Sequence, residues 1–512
     1  MIKLHQNELS VEVYSAMDGR IKISGSNCLC LVQWFGVSVM HGKLNLAGKE
    51  DVTRFIAEKN VKLLNFCHIP EDGRLKTLSF AASNENHVLE ILEYGERVDG
   101  SSLFSFIDPH KSDIYVMPRL ESAFMNPFTA VPTLSMLCEY LDQDGKPLAV
   151  APENTLKRAE ERLRNSADVA LKALAELEFF IMAKPEAEPL FHSMPDRHYH
   201  ESAPFSKFEH VRNEILVTLA DIGIETKYGH SEVGRLIGKD GMVMEQHEIE
   251  FTPQRLVDMA EAVAVSKWVM RNVCMKYGVS VTFSPKISLE HAGNGMHIHL
   301  CGLKSEKNII EDAKGKLSVE AKEMIGGILK FAPSLAAFGN PTPVSYLRFL
   351  ASKESPMNIS WGARNRLALI RIPLWWSFGK ADRKEDPCRR TFEYRAPDTT
   401  ANAYLLLAGI TLAVEHGLTN NKESLKIAED LHLEEGSGKT KHLKRLPTSC
   451  KESADNLKKD RAYYEAEDVF PRSVIDMTVK KLKSYEDGDL AQALKDEPEK
   501  IEKLMQAYLH YG

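Results

Sequence analysis

Apolar and polar residues alternate with a period of two in several separated stretches, the pattern of strands that bury one face and present the other to something polar. ELEFF (176–180) sets Glu176 and Glu178 on one face, with Leu177 and Phe179 opposite. GNGMHIHL (293–300) sets His297 and His299 against Met296, Ile298 and Leu300. QHEIEF (246–251) puts Glu248 with Glu250, FEYR (392–395) puts Glu393 with Arg395, and HSEVG (230–234) adds Glu232. Strands are predicted at 174–182, 224–228, 246–251, 279–283, 295–301, 364–372 and 391–395. The helical period, with Leu156 and Leu163 on one face of 153–165, recurs at 206–221, 253–277, 317–331, 402–416 and 450–459, and the Lys/Glu-rich last hundred residues read as further amphipathic helices. Strands and helices without strict alternation predict an α+β fold.

Before residue 151 the texture is different. Residues 53–150 alternate strand-like runs with turns, and Asp-Gly pairs recur at 72–73, 99–100 and 144–145, which predicts a small sheet-rich domain ahead of a larger one over 151–512. Residues 1–52 carry short strand-like runs and no recognisable chemistry; the apolar run from Cys28 to Met40 is too short to span a bilayer and reads as one or two buried strands.

Composition narrows the class without choosing a function. With 43% apolar and 27% charged residues in 512, the chain has the balance of a globular protein with a large core. A net charge of -7 gives no electrostatic reason to expect nucleic acid or an anionic membrane as partner. No apolar leader is visible, and the eight cysteines form no C-x-x-C pair, so the expectation is a cytoplasmic protein without a zinc cage or disulfide framework.

The strands' polar faces carry the chemistry. If they line one cavity, several carboxylates meet away from bulk water, and they cannot all stay ionised unless cations compensate them. Oxygen donors with an imidazole suit Mg²⁺ or Mn²⁺. SYLRF (345–349) and GARNRLALIRIP (362–373) add Arg348, Arg364, Arg366 and Arg371 to Arg395, and arginine forks recognise carboxylate or phosphate. Together these are ingredients of nucleotide-driven phosphoryl transfer. GSGKT (436–440) is a decoy: a phosphate loop needs glycine at position 433, which is leucine, and a preceding strand.

Read in order, VDGSS (98–102), ELEFF, HSEVG with QHEIEF, GNGMHIH, SYLRF with Glu354, ARNRLALIRIP (363–373) and EYRAPDTTANAYL (393–405) resemble the motifs of glutamine synthetases of the bacterial type I group. The resemblance implies an N-terminal β-grasp domain and a catalytic α/β domain with an open barrel of antiparallel strands and surrounding helices. It implies a homo-oligomer, usually a dodecamer, with active sites between subunits. By the same resemblance Glu178, Glu232 and Glu248 would hold one divalent ion and Glu176, His297 and Glu393 a second, with His299 a nucleotide contact. ATP would phosphorylate glutamate, and ammonia would displace the phosphate. Arg366 and Arg371 would meet phosphate, Arg348, Arg395 and Gly293 the glutamate, and Asp99, Ser102, Tyr199 and Glu232 the ammonium, with Asp99 as general base and Glu354 on a shielding flap.

The chain departs from the pattern at several points, Ala351 and Ser352 at the flap's usual proline and glycine among them. Ala292 stands where the family commonly has asparagine, as in relatives that join glutamate to amines, so a γ-glutamyl ligase for a larger amine or polyamine remains the alternative to a glutamate–ammonia ligase. Extra residues separate Glu232 from Glu248, Thr391 replaces an arginine, and His432 stands where regulated enzymes carry the tyrosine that is adenylylated.

Overall fold

The computed structural model describes three strands before residue 24, and residues 44–512 apart from 45, 185–190, 192–193, 239–240, 352–354, 376–386 and 434–442. Cys28–Met40, GSGKT and Glu354 lie outside the described residues. Two units separate, Met1–His41 and Gly42–Gly512. In the first, β1 (Lys3–Gln6), β2 (Leu9–Ser15) and β3 (Ile21–Ile23) form an antiparallel sheet in sequence order. No helix among the described residues is long and apolar enough to cross a membrane.

The second unit opens with a sheet of β4 (Leu63–His68), β5 (Lys76–Ala81), β6 (Glu96–Asp99), β7 (Asp113–Pro118), β8 (Phe124–Met125) and β9 (Thr133–Leu141), in the order β5-β4-β9-β7-β6 with β8 beside β9. It is the β-grasp element expected from the sequence. Two helices that the alternation did not reveal complete its core, α1 (Lys49–Glu58) and α2 (Glu85–Tyr94). Val52, Phe55, Val88, Ile91 and Leu92 from the helices pack with Leu64, Phe66, Leu134 and Met136 from the sheet. The signal for α2 was present: Asn84 caps its first turn, accepting from the Asn86 and His87 amides, and the apolar residues follow at helical spacing.

The remaining strands form one curled sheet. They are β10 (Ala170–Ala183), β11 (Thr226–Ile237), β12 (Val243–Phe251), β13 (Gln254–Arg255), β14 (Ser280–Thr282), β15 (Met296–Lys304), β16 (Lys307–Asn308), β17 (Trp361–Ala363), β18 (Ile370–Ile372) and β19 (Phe392–Tyr394). Its path is β11-β12-β10-β15-β19-β18-β17, with β13 and β14 on β10 and β16 on β15. Pairing is antiparallel except between β17 and β18, which are parallel. Of the strand predicted at 364–372 only β18 forms; the residues before it are a turn that follows β17 and carries Arg364 at φ 57° and Arg366.

Helices cover the apolar face. These are α3 (Pro152–Ala167), α4 (Glu209–Asp221), α5 (Leu256–Lys276), α6 (Val319–Gly339), α7 (Pro343–Leu350), α8 (Ala403–Thr419), α9 (Asn421–Asp430), α10 (Cys450–Glu465), α11 (Arg472–Lys483), α12 (Leu490–Asp496) and α13 (Pro498–Ala507). Leu177, Phe179 and Ile181 of β10 share a core with Met259, Val263 and Met270 of α5, while Glu176 and Glu178 face the other way, as their alternation requires. Helices α6, α8 and α9 approach backbone to backbone: a Cβ on Gly327 would stand 2.0 Å from the Ala413 carbonyl oxygen, and one on Gly326 2.0 Å from that of Ser424. Close-packed interiors do not absorb such an intrusion. Gly327→Ala is therefore expected to destabilise the fold by about 1–3 kcal/mol, read from the urea midpoint at unchanged m-value; an unshifted midpoint would show that the two helices separate freely.

Candidate active site

Strand register turns the alternating faces into a lattice. Glu178 pairs with Glu248, and Glu248 with His230 of β11; two rungs along, Glu176 pairs with Glu250 and with His297, and Glu250 with Tyr228. On β15, His299 pairs with Glu393, which pairs with Arg371. Antiparallel partners in register hold side chains on one face within mutual reach, so residues distant in sequence become neighbours. They surround a cavity of about 230 Å³ lined by Glu176, Glu178, Glu232, Glu248, His297 and His299, and also by Tyr199, Gly293, Arg348, Arg366, Arg371 and Arg395.

Two details of local folding aim these groups. Between Ser231 and Arg235 the β11–β12 ladder slips, so three residues oppose one. This bulge carries Glu232 into the cavity, and Gly234 donates its amide to Gln246 Oε1 at 3.0 Å. Gln246 in turn donates to Glu178 Oε2 at 3.2 Å and to the Gly293 carbonyl at 3.1 Å, while the Gly295 amide donates to the same Glu178 oxygen at 2.7 Å. Gly293 itself has a structural reason to lack a side chain: its Cβ would lie 2.1 Å from the Pro285 carbonyl oxygen.

The two histidines of MHIHL straddle one carboxylate. His297 Nδ1 lies 2.9 Å from Glu176 Oε2 and His299 Nε2 3.0 Å from Glu176 Oε1. Thr391, one of the departures noted in the sequence, holds His299 Nδ1 at 2.9 Å. Burial works against the Glu176 charge, but His299 and His297 hold its pKa well below the ordinary carboxylate range. Both Glu393 oxygens are held by arginines, Oε2 by Arg371 Nη1 at 2.7 Å and Oε1 by Arg395 Nη1. Arg348, buried on α7, donates to the Ala396 carbonyl at 2.9 Å, and its Nη2 lies 3.4 Å from His297 Nε2.

Donor atoms fall into two groups with mutual distances under 4.8 Å: Glu176, His299 and Glu393, and His230, Glu232 and Glu248. Their electrostatics differ. In the second group burial, then Glu248 and Glu178, push the Glu232 carboxyl up to about 9; burial, then Glu176 and Glu178, push Glu248 well above its ordinary value. Carboxylates so crowded bind either protons or a cation. Hard oxygens with one imidazole are the donor set that Mg²⁺ and Mn²⁺ take. The Glu232 group fits such an ion directly; in the Glu176 group a cation would share Glu393 with two guanidinium forks.

Other expected residues fall elsewhere. Asp99 and Ser102 stand exposed at the end of β6 and do not line the cavity; Asp99 accepts from Ser101 Oγ and Ser102 Oγ, each at 2.7 Å. These bonds, that from Ser101 first, hold its pKa far below the carboxylate range. Tyr199 lies at the rim with its ring stacked on His200 at 4.2 Å, and Arg366 bonds to it. Ala292 lines the cavity, and His432 stacks on Trp361 at 4.3 Å. Sequence reasoning overlooked His230, Tyr228, Gln246 and Lys286, all in the cavity wall. The first two share the face of Glu232 at period two and were discoverable; buried Lys286 carries no pattern that marks it.

With this geometry in hand, known proteins offer a comparison. The sequence pattern described as "Glutamine synthetase, beta-Grasp domain" matches residues 60–143, and "Glutamine synthetase, catalytic domain" matches 149–500. A glutamine synthetase of Thermotoga maritima is 32% identical over 434 residues, 83% of this chain and 94% of that protein. One of Streptomyces coelicolor is 31% identical over 460 residues, 83% of this chain and 93% of that protein. Among solved structures, a glutamine synthetase of Plasmodium falciparum superposes with a TM-score of 0.73 at 21% identity, covering 87% of this chain and 97% of that one. A chain described as a GmaS/ADP complex gives 0.69 at 22% identity, covering 88% and 98%.

The donor groups predict cation binding. Glu232→Gln should weaken Mn²⁺ binding to the second group by more than the roughly 10–100-fold that loss of an outer-shell partner costs, measured by electron paramagnetic resonance titration; unchanged affinity and stoichiometry would remove Glu232 from the ligand set.

Proposed function

The chain belongs to the glutamine synthetase family, and from that membership we propose that it is an ATP-dependent glutamate–ammonia ligase. The observation that carries the reading is one cavity in which two carboxylate–imidazole groups face Arg348, Arg366, Arg371 and Arg395. An oxygen of the glutamate γ-carboxylate attacks the γ-phosphorus of ATP, the bond to the bridging oxygen breaks, and ADP leaves. Ammonia then attacks the acyl carbon of γ-glutamyl phosphate, and phosphate departs with the bonding pair. Arg348 and Arg395 hold glutamate carboxylate, while Arg366, Arg371 and His299 hold the polyphosphate. Glu178, Glu232 and Glu248, and Glu176, His297 and Glu393, would hold divalent ions, which when bound supply charge neutralisation for the transferring phosphoryl group, although the closest donor groups among the described residues have His230 in place of Glu178 and His299 in place of His297.

Tyr199 and Glu232 form the acceptor side, an aromatic ring and a carboxylate lining the same cavity. Asp99 takes the proton that ammonium loses, and Ser102 helps to bind it. Their exposure on β6, apart from the cavity, supports their contribution by a neighbouring copy within a homo-oligomer, for which we propose a dodecamer. Glu354 is proposed as the flap residue that shields the acyl phosphate from water.

One observation favours the second reading. Ala292 leaves a methyl group in the cavity wall, where a longer side chain would narrow it, and this room would suit a γ-glutamyl ligase for a larger amine. Phosphate release from ATP and glutamate, measured with ammonium, methylamine, ethanolamine and putrescine, separates the two. Ammonium is expected to give the highest kcat/KM, and preference for an alkylamine or polyamine by orders of magnitude would reverse the assignment. Asp99→Asn should raise the KM for ammonium much more than that for ATP; equal increases would argue against its role as base.

A further inference from the structure

The bulge that delivers Glu232 interrupts the strand ladder, and its carbonyl needs a partner from elsewhere. His198 supplies it. The imidazole is fully buried, and its Nδ1 stands 3.1 Å from the Glu232 carbonyl oxygen. A carbonyl only accepts, so Nδ1 is the donor. Its Nε2 lies 3.5 Å from Glu245 Oε2 on the face of β12 turned away from the cavity. Glu245 is itself anchored: Oε1 accepts from Arg235 Nε at 3.3 Å and Oε2 from the Lys207 amide at 2.8 Å.

The same segment carries the acceptor-side aromatic. Residues 198–200 run beside 231–233, with the His200 amide bonded to the Ser231 carbonyl at 2.8 Å and the His198 amide to that of Val233 at 3.4 Å. Ser231 Oγ donates to the Glu201 carbonyl at 2.8 Å and accepts from Arg212 Nη1 at 3.0 Å. Tyr199 is thereby held edge-on to His230, with ring centroids 5.3 Å apart, and it lines the same cavity as Glu232. One buried side chain therefore ties the Tyr199 wall to the Glu232 wall.

We propose that His198 is a positioning residue that fixes the spacing between Tyr199 and Glu232 and so sets the size of amine the site accepts, an inference that rests on the ligase reading above. It touches no substrate. Its loss should loosen the acceptor side, with Arg366 bonded to Tyr199, and leave the nucleotide contacts on β15 and β18, His299 and Arg371, undisturbed.

The test compares wild type with His198→Ala, His198→Asn and His198→Gln, using amine kinetics and ADP binding by calorimetry with Mg²⁺. His198→Ala is expected to raise the ammonium KM by about tenfold, the upper range for one lost hydrogen bond. It should raise the methylamine-to-ammonium ratio of kcat/KM and leave the ADP Kd within about twofold. Asparagine, which returns a donor near Nδ1, should restore the ammonium KM, and glutamine should not. Parallel losses of ADP and ammonium affinity, or an unaltered ammonium KM, would overturn the inference. If the alanine variant does not fold, the asparagine–glutamine contrast decides alone. Wild-type preference for a larger amine would overturn the ammonia reading instead, and the same KM split would then be read with that amine.

Discussion

Everything in the catalytic unit answers to one constraint: several carboxylates must be held together out of water without forcing the sheet apart. Register meets it. Because Glu176, Glu178, Glu248 and Glu250 sit on rungs paired without slip, a shift by one residue would send the whole acidic set into the apolar core beneath. The cost of crowding is handled differently on the two sides. Around Glu176 and Glu393 the chain supplies its own partners, the His297 and His299 rings and the Arg371 and Arg395 guanidinium groups. Around Glu232 and Glu248 it supplies none that suffices, and burial with mutual repulsion raises both carboxyls. The asymmetry separates a side that is electrostatically complete from one that calls for an added charge.

Irregular backbone does the aiming. The slip after Ser231, the crowded Gly293 and the turn that bears Arg366 are places where regular pairing gives way, and each sits at the cavity. Buried side chains restore the lost backbone partners there, Gln246 for Gly293 and Gly234, and His198 for Glu232. Such networks rigidify a site only when their members are satisfied together, which is why residues without any chemical role stand so close to those that have one.

The strand faces were legible because alternation is a backbone property: Glu176 with Glu178 and His297 with His299 followed from the pleat alone. The grouping was less so. That both histidines would reach Glu176, and that Arg371 and Arg395 would share Glu393, depends on which strands pair and in what register, and no local pattern encodes that. Helices α1 and α2 escaped because turn signals and short strands dominated their surroundings, although Asn84 announced one of them. Lys286 and His198 could not be singled out, since an isolated basic residue has no periodic partner. Asp99 and Ser102 mark another limit, because one copy of the chain gives them no place at its own cavity.

Past the bulge the β11–β12 hairpin continues toward its tip. Three further rungs, Arg235–Glu245, Leu236–Met244 and Ile237–Val243, lie between the chemistry and the tip. Insertions at that tip add ladder without re-phasing the acidic rows, whereas a single-residue deletion below Arg235 would invert them. Evolution, or a protein engineer, thus has a free end on which to try new sequence, for a new binding surface or a tag, while the reactive chemistry stays insulated from the experiment.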